Sequence, residues 1–200
     1  MLGWGGVGTG LWSTVLQYRR VLRRGHEGVS LATWVLFLLM GIFWMTYGAT
    51  RRSPEIIMGS AIIFPLQLRI VARLTPWRHP MVLLQSLGYF VGLCVVPTLM
   101  WGWTGGLVGV AFAMTINRAP QIVGLLRHRD ASGVSVTSWL YGVLGSILWM
   151  LYYAQAHLYA AMSATAFAGV ANGVIATLAA WRHRQTRSDA FSTRFALASL

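Results

Sequence analysis

Long apolar runs separated by short arginine-bearing segments set the pattern of this chain. The runs cover residues 2–18, 31–50, 55–74, 81–101, 103–126, 134–154 and 158–181. A helix crosses a bilayer in about 20 residues, so each run is long enough to span, and seven spans are expected. The first is the weakest and carries Gly3, Gly5, Gly6, Gly8 and Gly10, which favour close helix approach in a bilayer but weaken an isolated helix. Only Gly102 divides the fourth run from the fifth; with Gly105 and Gly106 it suits a tight turn, and two spans fit that length better than one. No basic leader precedes the first run, which is therefore read as a retained span. Residues 182–200 turn polar and basic and read as a cytosolic tail with some helical character or disorder.

Composition leads the same way. Of 200 residues, 56% are hydrophobic and 10% charged, with a mean hydropathy of +0.59, against roughly a quarter charged in soluble domains. The length holds at most about eight crossings and no sizeable soluble domain. A net charge of +12 would suit nucleic acid only on a solvated basic face, whereas these arginines sit at the ends of apolar runs. Membrane lipids are the expected partner, and no nucleic acid is.

Counting arginines in the connecting segments orients the chain, because basic flanks resist translocation. With the N-terminus outside, the cytoplasmic side receives thirteen: Arg19, Arg20, Arg23, Arg24, Arg69, Arg73, Arg78, Arg127, Arg129, Arg182, Arg184, Arg187 and Arg194. The outside receives Arg51 and Arg52, and Arg118 falls inside the fifth run. An N-out, C-in chain with an odd number of spans satisfies this count, and its compact loops suit a bacterial plasma membrane. The segments 23–28 and 127–130 read chiefly as anchors to anionic headgroups, with gating by ion pairs as the sharper alternative.

Enzyme chemistry has little to stand on. Cys94 is alone, which excludes a disulfide within the chain and a cysteine metal site. His26, His79, His128, His157 and His183 are dispersed among loops and ends, and no hydrolase constellation is recognisable. No catalytic residue, metal or cofactor is expected.

An internal repeat organises the chain. Gly28-Val29-Ser30 matches Gly133-Val134-Ser135, Trp34 matches Trp139, Trp44-Met45 matches Trp149-Met150, and Tyr47 matches Tyr152, all at an offset of 105. Residues 28–49 agree with 133–154 at 10 of 22 positions. Upstream, Gln17 pairs with Gln121 at an offset of 104, so Leu16 faces Pro120. Spans one to three and five to seven are thus equivalent units, and the single intervening span makes them run in the same direction. This predicts residues 1–79 as a first triple-helix unit, 80–102 as a linker helix, 103–181 as a second unit and 182–200 as the tail. Parallel units of this kind pack about an axis along the membrane normal, with the site at their interface.

Ala119-Pro120-Gln121, followed by Arg127 to Ser135 and then Trp139, resembles the PQ-loop motif, and the 3+1+3 layout is similar to the SWEET sugar transporters. The resemblance covers nearly the whole chain and implies an all-helical membrane fold; a small-molecule solute, most readily a sugar, would be carried by alternating access. It implies that Pro120 and Gln121, with Gln17 in the first copy, form a flexing point, although Leu16 leaves the first copy without its proline. A fixed kink at Pro120 is the alternative. The resemblance also places Trp44 and Trp149 where a sugar would stack. Their alternative is an interfacial aromatic belt.

Where the family carries a sugar-binding asparagine on each third helix, this chain has Ser60 and Thr165. Seven residues on, two helical turns along the same face, Gln67 pairs with Asn172, so the amides are read as displaced down the stripe, or else as helix-to-helix bonds. Arg118 departs furthest, since its mate is Thr14. Either it snorkels to lipid phosphate or it faces the cavity, and the second case favours an anionic or zwitterionic solute over a neutral sugar. A receptor that binds without transport is the rival from another class. The glycine faces leave homo-oligomerisation open.

Overall fold

A computed structural model of the chain describes residues 1–127 and 131–198, with side chains as far as residue 186. His128, Arg129 and Asp130 of the second-copy motif, and the side chains of Arg187 and Arg194, lie outside the described residues. Every described element is helical. In order these are α1 (Leu2–Arg24), α2 (Leu31–Thr50), α3 (Pro54–Ala61), α4 (Phe64–Arg73), a short 3-10 turn at Pro76–Arg78, and α5 (Pro80–Phe90). A π-helical stretch, Val91–Val95, leads into α6 (Val96–Ile116), and α7 (Ala119–Arg127), α8 (Val136–Gln155) and α9 (Tyr159–Ala198) follow. The segment expected as a tail continues α9 as helix.

Among the described residues, four stretches are long and apolar enough to cross a membrane: Leu31–Thr50, Pro54–Arg73, Pro80–Arg127 and Tyr159–Thr186. α1 and α8 are as long but less apolar. Leu99, Phe112, Phe167 and Val170 turn outward, each at least 60% exposed, while Gln17, Asn117, Arg118, Gln121 and Asn172 are buried. Large apolar side chains facing outward, with several polar ones buried among an apolar core, suit a protein solvated by lipid.

Local chemistry sets the helix ends. Ser30, Ser53 and Ser135 each cap the following helix, accepting from the amides of Thr33, Ile56 and Ser138. The breaks follow proline, which lacks an N–H and clashes with the preceding turn. Pro65 leaves the Ala61 carbonyl without its donor where α3 gives way to α4, and Pro120 does the same to Ile116 between α6 and α7. The two units therefore break different helices. α1 runs unbroken through Leu16, the mate of Pro120, and α9 runs unbroken through Val170, the mate of Pro65.

Within α6, Trp101 (φ −127, ψ 17) and Gly102 (φ 64, ψ −158) leave helical geometry and reverse the chain. Gly105 then lies against the Pro97 carbonyl and Gly109 against that of Leu93, so the second half of α6 returns along the first. A side chain at Gly109 would strike the Leu93 backbone, which is why the hairpin needs glycine there.

Repetition extends past the matching residues. Arg52 and His157, mates at offset 105, share a left-handed backbone (φ 52 and 55), and the amides of Ser53 and Leu158 donate to the Gly48 and Tyr153 carbonyls. Packing repeats as well: α3 and α4 lie between α1 and α2, and α9 lies between α8 and the α6–α7 run. Between these units α1 packs along α8, and α2 meets α6 and α7. α5 packs against α2.

Candidate functional site

A cavity of about 230 Å³ lies where α1, α2, α3, α4, α6, α8 and α9 converge, with Arg118 at the α6–α7 break. It is smaller than the roughly 300–1,000 Å³ of sites that take drug-sized ligands, and so suits a small solute. Trp44, Trp149, Ser60, Thr165, Gln67, Asn172 and Arg118 all line it. Residues separated by up to 128 positions (172 − 44) are brought to one chamber because each unit contributes its second and third helices to the same interface.

Aromatic rings close the end away from the arginine-rich loops. Tyr153 stacks on Trp44 (centroids 5.8 Å, planes 19° apart) and on Trp149 (5.5 Å, 25°), so one phenol ring sits between the two indoles. Trp149 fits there because Gly6 and Gly59 give it room: a Cβ on Gly6 would fall 2.7 Å from the indole Nε1, and one on Gly59 2.9 Å from Cζ2. The glycines of α1 serve this approach at four positions, with Gly3 against Glu55 and Tyr152, Gly5 against Leu148, and Gly10 against Ile63. Gly8 meets nothing within 4 Å. Behind the stack, the Tyr152 and Ser53 hydroxyls pair at 3.2 Å and Arg51 Nε donates to the Tyr47 hydroxyl.

At the opposite end the two glutamines make crossed clamps. Gln17 Nε2 donates to the Gly133 carbonyl (2.8 Å), and its Oε1 accepts from the Ser135 amide (2.9 Å). Gln121 does the same to the other copy, donating to the Gly28 carbonyl (2.6 Å) and accepting from the Ser30 amide (2.8 Å). Each unit's first helix thus holds the other unit's Gly-Val-Ser loop. Both glutamines are 1% exposed; the Gln17 bonds are buried, and those of Gln121 reach the half-buried Gly28 and Ser30. The two loop glycines meet different demands. Gly28 takes a left-handed φ of 76, whereas Gly133 is hemmed in by the Gly25 and Glu27 carbonyls. Arg20 Nε reinforces this end on the Ser132 carbonyl, and Arg182 caps α7 through the Leu125 and Leu126 carbonyls.

Arg118 does not snorkel. It is 7% exposed, with Nε donating to Asn172 Oδ1 at 2.6 Å and Nη1 to Asn117 Oδ1 at 2.9 Å and to the Met114 carbonyl. Its guanidinium lies 5.2 Å from the centre of the Phe37 ring. All of these partners are neutral, and among the described residues no carboxylate lines the cavity. Burying a cation without a counter-charge costs several kcal/mol, so this one is held in place by hydrogen bonds while its charge stays uncompensated. Asn172 in turn donates to Ser146 Oγ at 3.3 Å.

The remaining polar side chains divide sharply. Thr14 and Thr165 bond back to the carbonyls of Gly10 and Ala161, and Ser13 and Ser138 bond to each other across the units. Ser60, Gln67 and Tyr141 also line the cavity, and Trp34 with its indole N–H unpaired. Sequence reasoning missed Tyr153, Phe37 and Asn117. The repeat gives no signal for the first two, since the mate of Tyr153 is Gly48 and that of Phe37 is Gly142. Asn117, an amide beside the in-span arginine, was open to recognition.

Compared with family models, curated proteins and solved structures, the chain matches none.

Proposed function

We propose that this protein is a carrier of the PQ-loop and SWEET kind, with seven membrane spans in a 3+1+3 arrangement, its N-terminus outside and its C-terminus in the cytoplasm of a bacterial cell. It moves a small polar solute by alternating access, as a uniporter. The observation that carries this reading is a chamber between two repeated units, lined by apolar rings with a few polar side chains and flanked at each end by contacts that cross from one unit to the other.

A carrier must open one end while the other is shut, and the two closures here are of different kinds. The inner closure is four hydrogen bonds from the buried Gln17 and Gln121 side chains, whose net worth at about 0.5–1.5 kcal/mol each is some 2–6 kcal/mol. When that end opens, water takes over the same donors and acceptors, which keeps the net cost within reach of thermal motion. The outer closure is ring stacking, which slides without leaving an orphaned polar group. Pro120 supplies a break through which α7, carrying Gln121, swings relative to α6 without rupturing a continuous helix. In the first unit the corresponding break lies in the third helix, at Pro65.

Counterflow into proteoliposomes tests the proposal. Vesicles preloaded with the unlabelled solute should accumulate label transiently and saturably. Saturable binding with no internal label would make the protein a receptor. The first solutes to try are neutral sugars and small organic acids, because the resemblance points to the former and Arg118 to the latter.

A further inference from the structure

Resting on that carrier reading, we propose that the solute is a small carboxylate, held at its charged end by Arg118 and at its other end by Ser60 and Gln67. The binding capacity left open in the chamber is at two places. On the second unit, Nε and Nη1 of Arg118 are committed to Asn172, Asn117 and the Met114 carbonyl, while Nη2 makes no bond to any described residue. The guanidinium is therefore oriented before any solute arrives, with one nitrogen available and its charge unmatched. A carboxylate oxygen meets both needs through a charge-assisted hydrogen bond.

On the first unit, the side chains of Ser60 and Gln67 line the chamber and make no bond to a described residue, unlike those of their mates Thr165 and Asn172. They offer donors and acceptors to a hydroxyl or carbonyl group. Thr14, the mate of Arg118, is bonded back to Gly10, so only one pole of the chamber is charged. A small hydroxy acid, with a carboxylate for Arg118 and a hydroxyl for Ser60 or Gln67, matches this polarity. A zwitterion matches it less well, because its ammonium group finds no carboxylate among the lining residues. A sugar stacking on Trp44 or Trp149 would compete with Tyr153, which packs in offset parallel fashion against both. The volume of about 230 Å³ limits the acid to a small one.

The test compares lactate with lactamide, its neutral near-isostere, and with glucose, by thermal shift of the purified full chain at constant ionic strength. Lactate should raise the Tm, and lactamide and glucose should not. Arg118→Gln should demand roughly 10- to 100-fold more lactate for the same shift, and Arg118→Lys should retain more of the effect. Equal stabilisation by lactate and lactamide overturns the proposal without any variant, as does no shift with lactate. If Arg118→Gln does not fold, Gln67→Leu should still weaken lactate while preserving its preference over lactamide, and an unchanged lactate response overturns that half of the site. Flux separates this inference from the one beneath it. Lactate binding without lactate counterflow keeps the anion site and sinks the carrier; glucose counterflow unaffected by Arg118→Gln keeps the carrier and sinks the anion site.

Discussion

Replacing Gln121 by Ala removes one of the two crossed clamps and leaves the other intact. It deletes the bond to the Gly28 carbonyl and the bond from the Ser30 amide, both made by a side chain that is 1% exposed. Each bond contributes about 0.5–1.5 kcal/mol net, and a buried backbone group left without a partner costs about 1–3 kcal/mol. Gly28 and Ser30 are half-buried, so water meets most of the second cost, and the closed inner end should lose about 1–3 kcal/mol, a shift of roughly 5- to 160-fold in its opening equilibrium. Hydrogen exchange in nanodiscs reads this directly at the Ser30 amide. Because the clamp crosses, a change in α7 of the second unit should speed exchange in the first unit's loop and leave Ser135 slow. Gln17→Ala should do the reverse. Gln121→Glu keeps an acceptor for Ser30 but loses the donor to Gly28, and should fall between. Unchanged exchange at Ser30, or acceleration at Ser135 instead, would refute the crossed geometry.

Three further outcomes follow from close contacts and backbone angles. Gly102→Ala forces a side chain into a conformation nearly confined to glycine (φ 64, ψ −158), and should cost about 1–3 kcal/mol, measured as a lowered Tm; an unchanged Tm would mean that the reversal does not depend on that backbone. Gly6→Ala must push Trp149 aside and should destabilise by about 1–3 kcal/mol with a shift in tryptophan fluorescence, whereas Gly8→Ala, with open space around it, should gain about 0.5–1 kcal/mol. Equal effects at the two glycines would contradict the Trp149 contact. Pro120→Ala restores a donor to the Ile116 carbonyl, so solute counterflow should slow while the Tm holds or rises; unchanged counterflow would remove Pro120 from the conformational change.

The helical architecture was legible because apolar runs and repeated residues report directly on it. Trp44, Trp149, Ser60, Thr165, Gln67 and Asn172 were found as pairs at one offset, and the structure places every one of them on the chamber wall. Asymmetric features escaped the same reasoning. Tyr153 answers a glycine, Phe37 answers a glycine, and Pro65 answers a valine, so nothing in the repeat marks them. The crossed clamps were hidden for another reason. The matching Gln17 and Gln121 suggested equivalent roles, but their partners are backbone groups of the opposite unit, and backbone groups carry no sequence signal. The sequence also left Arg118 between lipid and chamber. Its exit from that choice depends on Asn117 and Phe37, which reach it through the turn before α7 and through α2.

Arg118 facing Thr14 also has a consequence in parity. Two identical three-helix units around a twofold axis contribute every side chain twice, so their shared chamber holds an even number of guanidiniums. Two cations in a chamber of this size would repel each other, and none would leave it neutral. When the two units belong to one chain they are free to differ at a single position, and a chamber charge of one becomes available. Two unlike units in one chain make an odd number possible, and an odd number is what the proposed carboxylate would need for neutrality.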